Sequence, residues 1–74
     1  MKIAKWTNGT VVVDMGDGSH MRLSGAQVDL LTGLPTVDYH ESVARALEDR
    51  GLARRLRDGR LSPTARGRRV VDEI

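Results

Sequence analysis

Two dipeptides, Asn8-Gly9 and Asp58-Gly59, constrain the fold of this chain most strongly. Each has the composition of a two-residue β-hairpin turn of type I′, which needs positive φ at both central positions. Asn and Asp tolerate that conformation and Gly adopts it freely, so both dipeptides favour a chain reversal between paired strands. We therefore expect one antiparallel hairpin in the first third of the chain and another in the last third.

The first hairpin is part of a three-stranded antiparallel meander predicted over residues 1–24. Apolar and polar residues alternate in its second and third strands, as they do when one sheet face is buried. The alternating apolar positions are Val11, Val13, Met15, Met21 and Leu23. The strands are expected at residues 2–7, 10–15 and 19–23, and they are separated by turns at residues 8–9 and 16–18.

Two short helices are predicted in the middle of the chain. Ser24 can cap the first helix, which would run to about Leu34 and be stopped by Gly33 and Pro35. Apolar residues recur at helical spacing along this segment, which indicates one buried stripe. The residues of that stripe are Ala26, Leu30, Leu31 and Leu34.

The second helix is expected over residues 38–50. Asp38 and Glu41 have the spacing of a capping box, with Asp as the cap. Gly51 suits the position just after the last helical turn, where a positive φ is common. The face turned to the core would carry His40, Val43, Ala44 and Leu47.

The second hairpin would pair residues 52–57 with residues 60–62. A two-residue turn sets its register, because the residues that flank the turn then lie opposite each other. The cross-strand neighbours predicted next to the turn are Leu56 with Leu61 and Arg57 with Arg60.

A final helix is expected after the second hairpin. Pro63 suits the first turn of this helix, and Ser62 or Thr64 can act as its cap. Its short apolar edge would consist of Val70, Val71 and Ile74. The whole chain, residues 1–74, is thus expected to form a single α+β domain.

The hydrophobic core must be aliphatic, because the apolar 39% of the chain includes one Trp, one Tyr and no Phe. We expect Trp6 to anchor that core, as a lone Trp usually does in an aromatic-poor domain. There is no cysteine for a disulfide or a thiolate metal site. The longest apolar run, residues 11–13, is far shorter than a membrane span, and no signal-peptide core is present. We therefore expect a cytoplasmic protein with no membrane association.

Positive charge is concentrated in the last third of the chain, although the net charge is only +2. Residues 1–50 hold five basic and seven acidic residues, whereas residues 51–74 hold seven arginines and three acidic residues. Arg predominates over Lys, and its guanidinium group suits forked contacts to phosphate or carboxylate. An anionic partner is therefore expected to meet the last third.

Residues 43–71 resemble the recognition helix and wing of winged-helix regulators of the MarR and PadR type. Residues 47–52 resemble the end of the recognition helix, and Asp58-Gly59-Arg60 resembles the tip of the wing. Residues 61–68 resemble the segment that closes the wing and opens the next helix. The resemblance implies a winged-helix-like α+β fold: a β-meander, two helices, a hairpin wing and a C-terminal helix. The family has two helices before its recognition helix, whereas here either residues 34–39 form an extra turn or a full helix-turn-helix is lacking.

The first functional hypothesis is a small protein that binds double-stranded DNA, as a transcriptional regulator or accessory factor. The wing arginines would hold phosphates, and residues 38–46 would approach the major groove. A homodimer would enlarge the small footprint of one module. The expected contacts to DNA or another anionic partner are Arg45, Arg54, Arg55, Arg57, Arg60, Arg66 and Arg69. Further contacts from the recognition helix would come from Tyr39, His40 and Ser42.

A second hypothesis is a protein-binding module that meets an acidic protein surface. The compact size, the acid-rich first half and the lack of a long dimerisation helix favour it. Asp38 and Glu41, at the start of the expected recognition helix, would also weaken binding to phosphates unless Glu41 contacts a cytosine amine. Such a module would act as an inhibitor or adaptor of a nucleic-acid-processing complex, for example a phage-encoded inhibitor of a bacterial defence system, or a plasmid accessory protein.

Simpler roles for the charges also exist. The wing arginines can protect an edge hairpin against aggregation. The arginines at positions 66, 68 and 69 can pair with Asp72 and Glu73, and Arg45 with Glu41 or Asp49.

No pattern of catalytic residues is recognisable, so we expect no enzyme activity and no cofactor. His20 and His40 are the only histidines, and their spacing does not match a metal-binding motif. The loop at residues 14–19 lacks the ligands of a calcium site and the ending of a phosphate-binding loop, and we interpret it as a turn.

Overall fold

The computed structural model describes residues 2–74 and has an α+β architecture. A three-stranded antiparallel sheet comes first, followed by two helices, a two-stranded hairpin and a C-terminal helix, which confirms the predicted layout. The elements are β1 (Lys2–Thr7), β2 (Thr10–Asp14), β3 (His20–Leu23), α1 (Gly25–Thr32), α2 (Glu41–Asp49), β4 (Ala53–Arg55), β5 (Leu61–Pro63) and α3 (Ala65–Glu73).

The meander has the predicted turns and the predicted alternation. Asn8 and Gly9 have φ values of 51° and 79°, as a type I′ turn requires, and Thr7 lies opposite Thr10. The sheet order is β1-β2-β3. Its inner face is covered by the rest of the chain: Val11, Val13 and Leu23 are fully buried, and Met15 and Met21 pack against the core.

Helix α1 begins with a capping box, in which Ser24 and Gln27 each accept a hydrogen bond from the other residue's backbone N–H. The predicted stripe is partly wrong. Val28 and Leu31 are the buried residues, while Ala26 is exposed and Leu30 is half-buried. Val28 offers more apolar surface than the single methyl of Ala26, so this orientation of the helix buries more area.

Helix α2 begins at Glu41, three residues later than predicted, and the capping box at Asp38 is wrong. Thr36 explains the difference, since its N–H and C=O bond to the C=O and N–H of Leu61 at 3.1 and 2.8 Å. This bridge holds the chain extended, and the Asp38 N–H donates to the Thr36 hydroxyl instead. His40 becomes an exposed N-cap residue without a side-chain capping bond, contrary to its predicted place on the core face.

The remaining predictions for α2 are confirmed, because Ala44 and Leu47 are buried and Val43 is half-buried. Gly51, with φ of 72°, ends the helix. Its N–H donates to Glu48 and the Leu52 N–H to Leu47, which is the hydrogen-bond pattern of a Schellman motif. Within residues 34–40 the structure contains no helix, so α2 is the single helix between the Thr36 bridge and the second hairpin.

The second hairpin forms, but its predicted register is wrong by one residue. Arg55 lies opposite Leu61, and the Leu56 N–H donates to the Arg60 carbonyl oxygen at 2.8 Å. Three residues, 57–59, therefore form the loop, and only Gly59 has positive φ, at 90°. This matches the three-residue hairpin loop with a left-handed glycine rather than type I′. The predicted Arg57–Arg60 cross-strand pair is not formed.

Helix α3 is capped by Thr64, whose hydroxyl accepts the Gly67 N–H, whereas Ser62 and Pro63 belong to strand β5. Pro63 is thus not in the first helical turn as predicted. It lies opposite Ala53 as the last residue of a short strand, where a missing N–H is tolerated. Val70 is buried, and Val71 and Ile74 pack against the core as predicted.

One aliphatic core joins the sheet, the helices and the second hairpin. Its largest fully buried side chains are Leu23, Leu31, Leu47, Leu52, Leu61, Val11, Val13 and Val70. Trp6 is not among them, and the prediction that it anchors the core is wrong, because its side chain is 52% exposed. It lies on β1, an edge strand whose described residues are exposed apart from the half-buried Ile3. Among residues 2–74 no helix has the length and hydropathy needed to cross a membrane.

Candidate functional site

Arg55 holds the second hairpin against α2. Its Nη1 donates to both carboxylate oxygens of Glu41 at 3.1 Å, and its Nη2 donates to Glu48 at 2.6 Å. Glu41 and Glu48 lie seven residues apart, on the same side of the helix. Hydrogen bonds to Glu41 first, and then to Glu48, raise the pKa of Arg55. Arg55, which the sequence predicts as a contact to an anionic partner, therefore already binds two carboxylates of the protein itself.

Tyr39 links the segment before α2 to the hairpin loop. Its hydroxyl donates to the Gly59 carbonyl oxygen at 2.8 Å, and the Arg55 guanidinium lies 5.5 Å from its ring centroid. The ring is half-buried and packs against the core. Tyr39 thus has a defined role in the fold, because it ties Gly59 and Arg55 to the start of α2.

Arg60 is paired within the loop. Its Nε lies 2.8 Å from Asp58 Oδ2, and its backbone N–H donates to Asp58 Oδ1. That backbone bond, followed by the Arg60 charge, lowers the pKa of Asp58. Arg57 lies at the loop tip, exposed and with no carboxylate partner among residues 2–74. The two arginines that the sequence placed opposite each other therefore differ: one is paired and one is free.

The exposed side of α2 is acidic. Arg45 Nη2 lies 3.8 Å from Glu41, so the expected pairing with Glu41 is present. The His40 Nδ1 and Ser42 Oγ lie 2.9 Å apart, and both residues are exposed. Glu41 and Asp49 line the same surface. Carboxylates outnumber cations along this helix, which opposes a close approach of phosphate.

In the part of the chain that the structure describes, seven arginines have no carboxylate within 4.0 Å, and five of them lie in the last third. These five are exposed and lie on β4, in the loop and on α3, and we call them the wing–α3 arginines: Arg54, Arg57, Arg66, Arg68 and Arg69. The alternative pairing of the α3 arginines with Asp72 and Glu73 does not occur.

Arg54 and Arg68 line one shallow groove, together with Ser62 and Thr64. Arg68 was not among the contacts predicted from the sequence, because its helical position points away from the side that Arg66 and Arg69 share. Only the packing of α3 beside β5 brings it into the same groove as Arg54. Two cations without carboxylate partners in one groove repel each other unless an anion lies between them.

The turn between β2 and β3 has no sign of a ligand site. Asp17 accepts hydrogen bonds from the hydroxyl and the N–H of Ser19, and these bonds lower its pKa. Gly16 and Gly18 both have positive φ, as in the predicted turn. Among residues 2–74 no three His, Asp or Glu side chains are grouped as a metal site would need.

The chain matches no protein-family model, no curated protein and no solved structure.

Proposed function

We propose that this protein binds double-stranded DNA through the wing–α3 arginines, as a small regulator or accessory factor of transcription in the cytoplasm. One observation carries the proposal: five exposed arginines on β4, the hairpin loop and α3 have no carboxylate partner among residues 2–74. Arginine is the side chain best suited to forked contacts with phosphate.

The distribution of ion pairs supports this assignment. Arg45, Arg55 and Arg60 each have a carboxylate within 4.0 Å. Arg54 and Arg68 share a groove and have none. Protection against aggregation explains charges on an edge hairpin, but α3 is not a strand, and its three arginines extend the cationic surface beyond the hairpin. A polyanion neutralises both elements together.

The acidic surface of α2 argues for a particular mode of binding. Winged-helix regulators place a recognition helix in the major groove. In this chain the corresponding helix exposes Glu41 and Asp49, and its Arg45 is paired. We therefore propose that the hairpin loop and α3 contact the DNA backbone while α2 stays outside the groove. Binding of this kind is weakly sequence-dependent and steeply salt-dependent.

Titration of a short random-sequence duplex at several salt concentrations tests the proposal. Each phosphate contact adds about 0.9 to the slope of log affinity against log salt. We expect Arg54→Gln, Arg57→Gln and Arg68→Gln each to lower that slope by about 0.9. Arg45→Gln is the matched control, because it removes the same charge from the acidic side of α2 and should leave the slope unchanged. Equal effects of all four variants would contradict a localised DNA surface.

A protein-binding adaptor or inhibitor is the second candidate, and the acidic surface of α2 favours it. Glu41 and Asp49 are exposed on this helix beside the half-buried Glu48, and DNA would avoid a surface with these carboxylates. If the protein fails to bind duplex DNA at low salt, the first proposal is wrong. A pull-down from host lysate, with Arg57→Gln and Asp49→Asn as variants, then shows which of the two charged surfaces holds the protein partner.

A further inference from the structure

The outer face of the three-stranded sheet carries cations that the charge count along the sequence does not reveal. In the register of the sheet, Lys5 and Arg22 lie on either side of Val12 in one cross-strand row. Lys2 and His20 lie on either side of Asp14 in another row. Val11 and Val13 point to the buried core, so residues 12 and 14 mark the opposite face.

This outer face is open to solvent. Lys2, Lys5, His20 and Arg22 are all exposed, so no helix or hairpin covers the rows to which they belong. None of the three permanent cations has a carboxylate within 4.0 Å among residues 2–74. Asp14 is the one acidic residue in the two rows; it is half-buried, and its Oδ1 accepts the Gly16 N–H.

The spacing of these cations suits a DNA backbone. Lys5 and Arg22 are separated by the central strand, so their backbones lie about 9.6 Å apart, twice the spacing of neighbouring strands. Both side chains have long flexible stems and can reach separate phosphates on one duplex. Val12 lies between them and offers no competing charge.

We propose that this outer face, formed by Lys2, Lys5 and Arg22, is a second binding surface for the phosphate backbone of duplex DNA. The nature of the ligand rests on the proposed function, but the residues are separate from the wing–α3 arginines. The helices and the second hairpin share the core on the other side of the sheet. A duplex on the outer face therefore leaves the wing–α3 arginines free to hold a second duplex, and one molecule can bridge two DNA segments.

Energy transfer between two duplexes with different dyes measures this bridging. We expect the unmodified protein to bring the duplexes together, and Lys5→Gln/Arg22→Gln to abolish the transfer while single-duplex binding at low protein concentration persists. Lys5→Arg/Arg22→Lys keeps both charges and should restore bridging. A normal thermal transition of the Gln variant confirms that the sheet is intact.

The other outcomes are equally informative. If Lys5→Gln/Arg22→Gln bridges duplexes as well as the unmodified protein does, the proposal of a second DNA-binding surface is wrong. If that variant is also less soluble, these cations protect the edge strands against aggregation instead. Single-duplex binding without bridging by the unmodified protein also overturns the proposal if Lys5→Gln/Arg22→Gln binds that duplex as tightly as the unmodified protein does. If Arg54→Gln/Arg68→Gln binds DNA normally while Lys5→Gln/Arg22→Gln does not bind at all, the sheet surface stands and the wing–α3 assignment fails.

Discussion

The two hairpins of this protein begin from nearly the same turn dipeptide and end in different registers. Asn8-Gly9 forms a two-residue turn in which both residues have positive φ. Asp58-Gly59 lies in a three-residue loop in which only Gly59 does, and the strands pair one residue away from the expected register. A shift of one residue moves every side chain of a strand to the opposite face. Arg55, rather than Leu56, therefore shares a face with the buried Leu61.

The difference lies in what surrounds each hairpin. The first turn lies close to Gly25 at the start of α1, but among residues 2–74 no hydrogen bond joins it to an element outside its own sheet. Its local preference therefore decides the register. The second hairpin is held from three sides: Thr36 pairs with Leu61, α2 carboxylates hold Arg55, and Tyr39 bonds to Gly59. Together, these tertiary contacts contribute more free energy than the small preference for one turn type. A turn dipeptide thus predicts where a chain reverses, but not the register when other elements contact both strands.

The largest expected effect follows from the packing of α3 against the start of the second hairpin. Gly67 is buried, and a Cβ at this position would overlap the Leu52 carbonyl oxygen. We expect Gly67→Ala to lower the free energy of unfolding by about 2 kcal/mol, because overpacking outweighs the gain in helix propensity. Urea denaturation measures the change.

Gly25→Ala is the control for this substitution on the side of the first hairpin. A Cβ there would lie 3.6 Å from the Gly9 carbonyl oxygen, which is ordinary contact. Its effect should stay within about 0.5 kcal/mol. If both variants lose the same free energy of unfolding, the second hairpin is packed no more closely than the first.

An intermediate effect is expected from Tyr39→Phe. Loss of the hydroxyl leaves the Gly59 carbonyl oxygen without its partner, at a cost of about 1 kcal/mol. Amide exchange should accelerate at Leu56, whose N–H closes the loop, and not at Thr10 in the first hairpin. Trp6→Phe, at an exposed aromatic residue of β1, is the comparison. Faster exchange in both hairpins would mean that Tyr39 supports the whole fold rather than the loop.

The smallest effect is expected from Asp58→Asn, which is the most direct test of the comparison. Asn-Gly is the stronger type I′ signal, and the substitution also removes the carboxylate that holds Arg60. We expect the register to persist, with the close Hα–Hα contact between Arg55 and Leu61 that a non-hydrogen-bonded pair shows in NMR spectra. A shift to pairing of Leu56 with Leu61 would show that the loop itself selects the register.

Much of the fold was predictable from local patterns. Alternation identified the buried face of the meander, Ser24 and Thr64 acted as the expected caps, and Gly51 ended α2 as predicted. The start of α2 was not predictable, because the Thr36–Leu61 bridge joins residues that are far apart in the chain. The exposure of Trp6 was equally hidden, since it depends on how far the helical layer extends over β1.

The candidate site shows the same division. The sequence alone shows that the last third is rich in arginine, but it does not show which of those arginines have a carboxylate partner. The structure separates Arg55 and Arg60, which have carboxylate partners, from Arg54 and Arg57, which have none. It also brings Arg68 to Arg54 and exposes Lys5 and Arg22 on a second face. Charge counts along a chain cannot show which cations are neutralised across elements.

By itself, the sequence determined the order of the elements, the places where the chain reverses, and the aliphatic character of the core. These properties follow from periodicity, turn chemistry and composition, all of which act over a few residues. Only the tertiary structure decided the register of the second hairpin, the start of α2 and the set of arginines left free. Each of these depends on contacts between distant residues, which pair a particular N–H, carbonyl or carboxylate, and no local pattern specifies that choice.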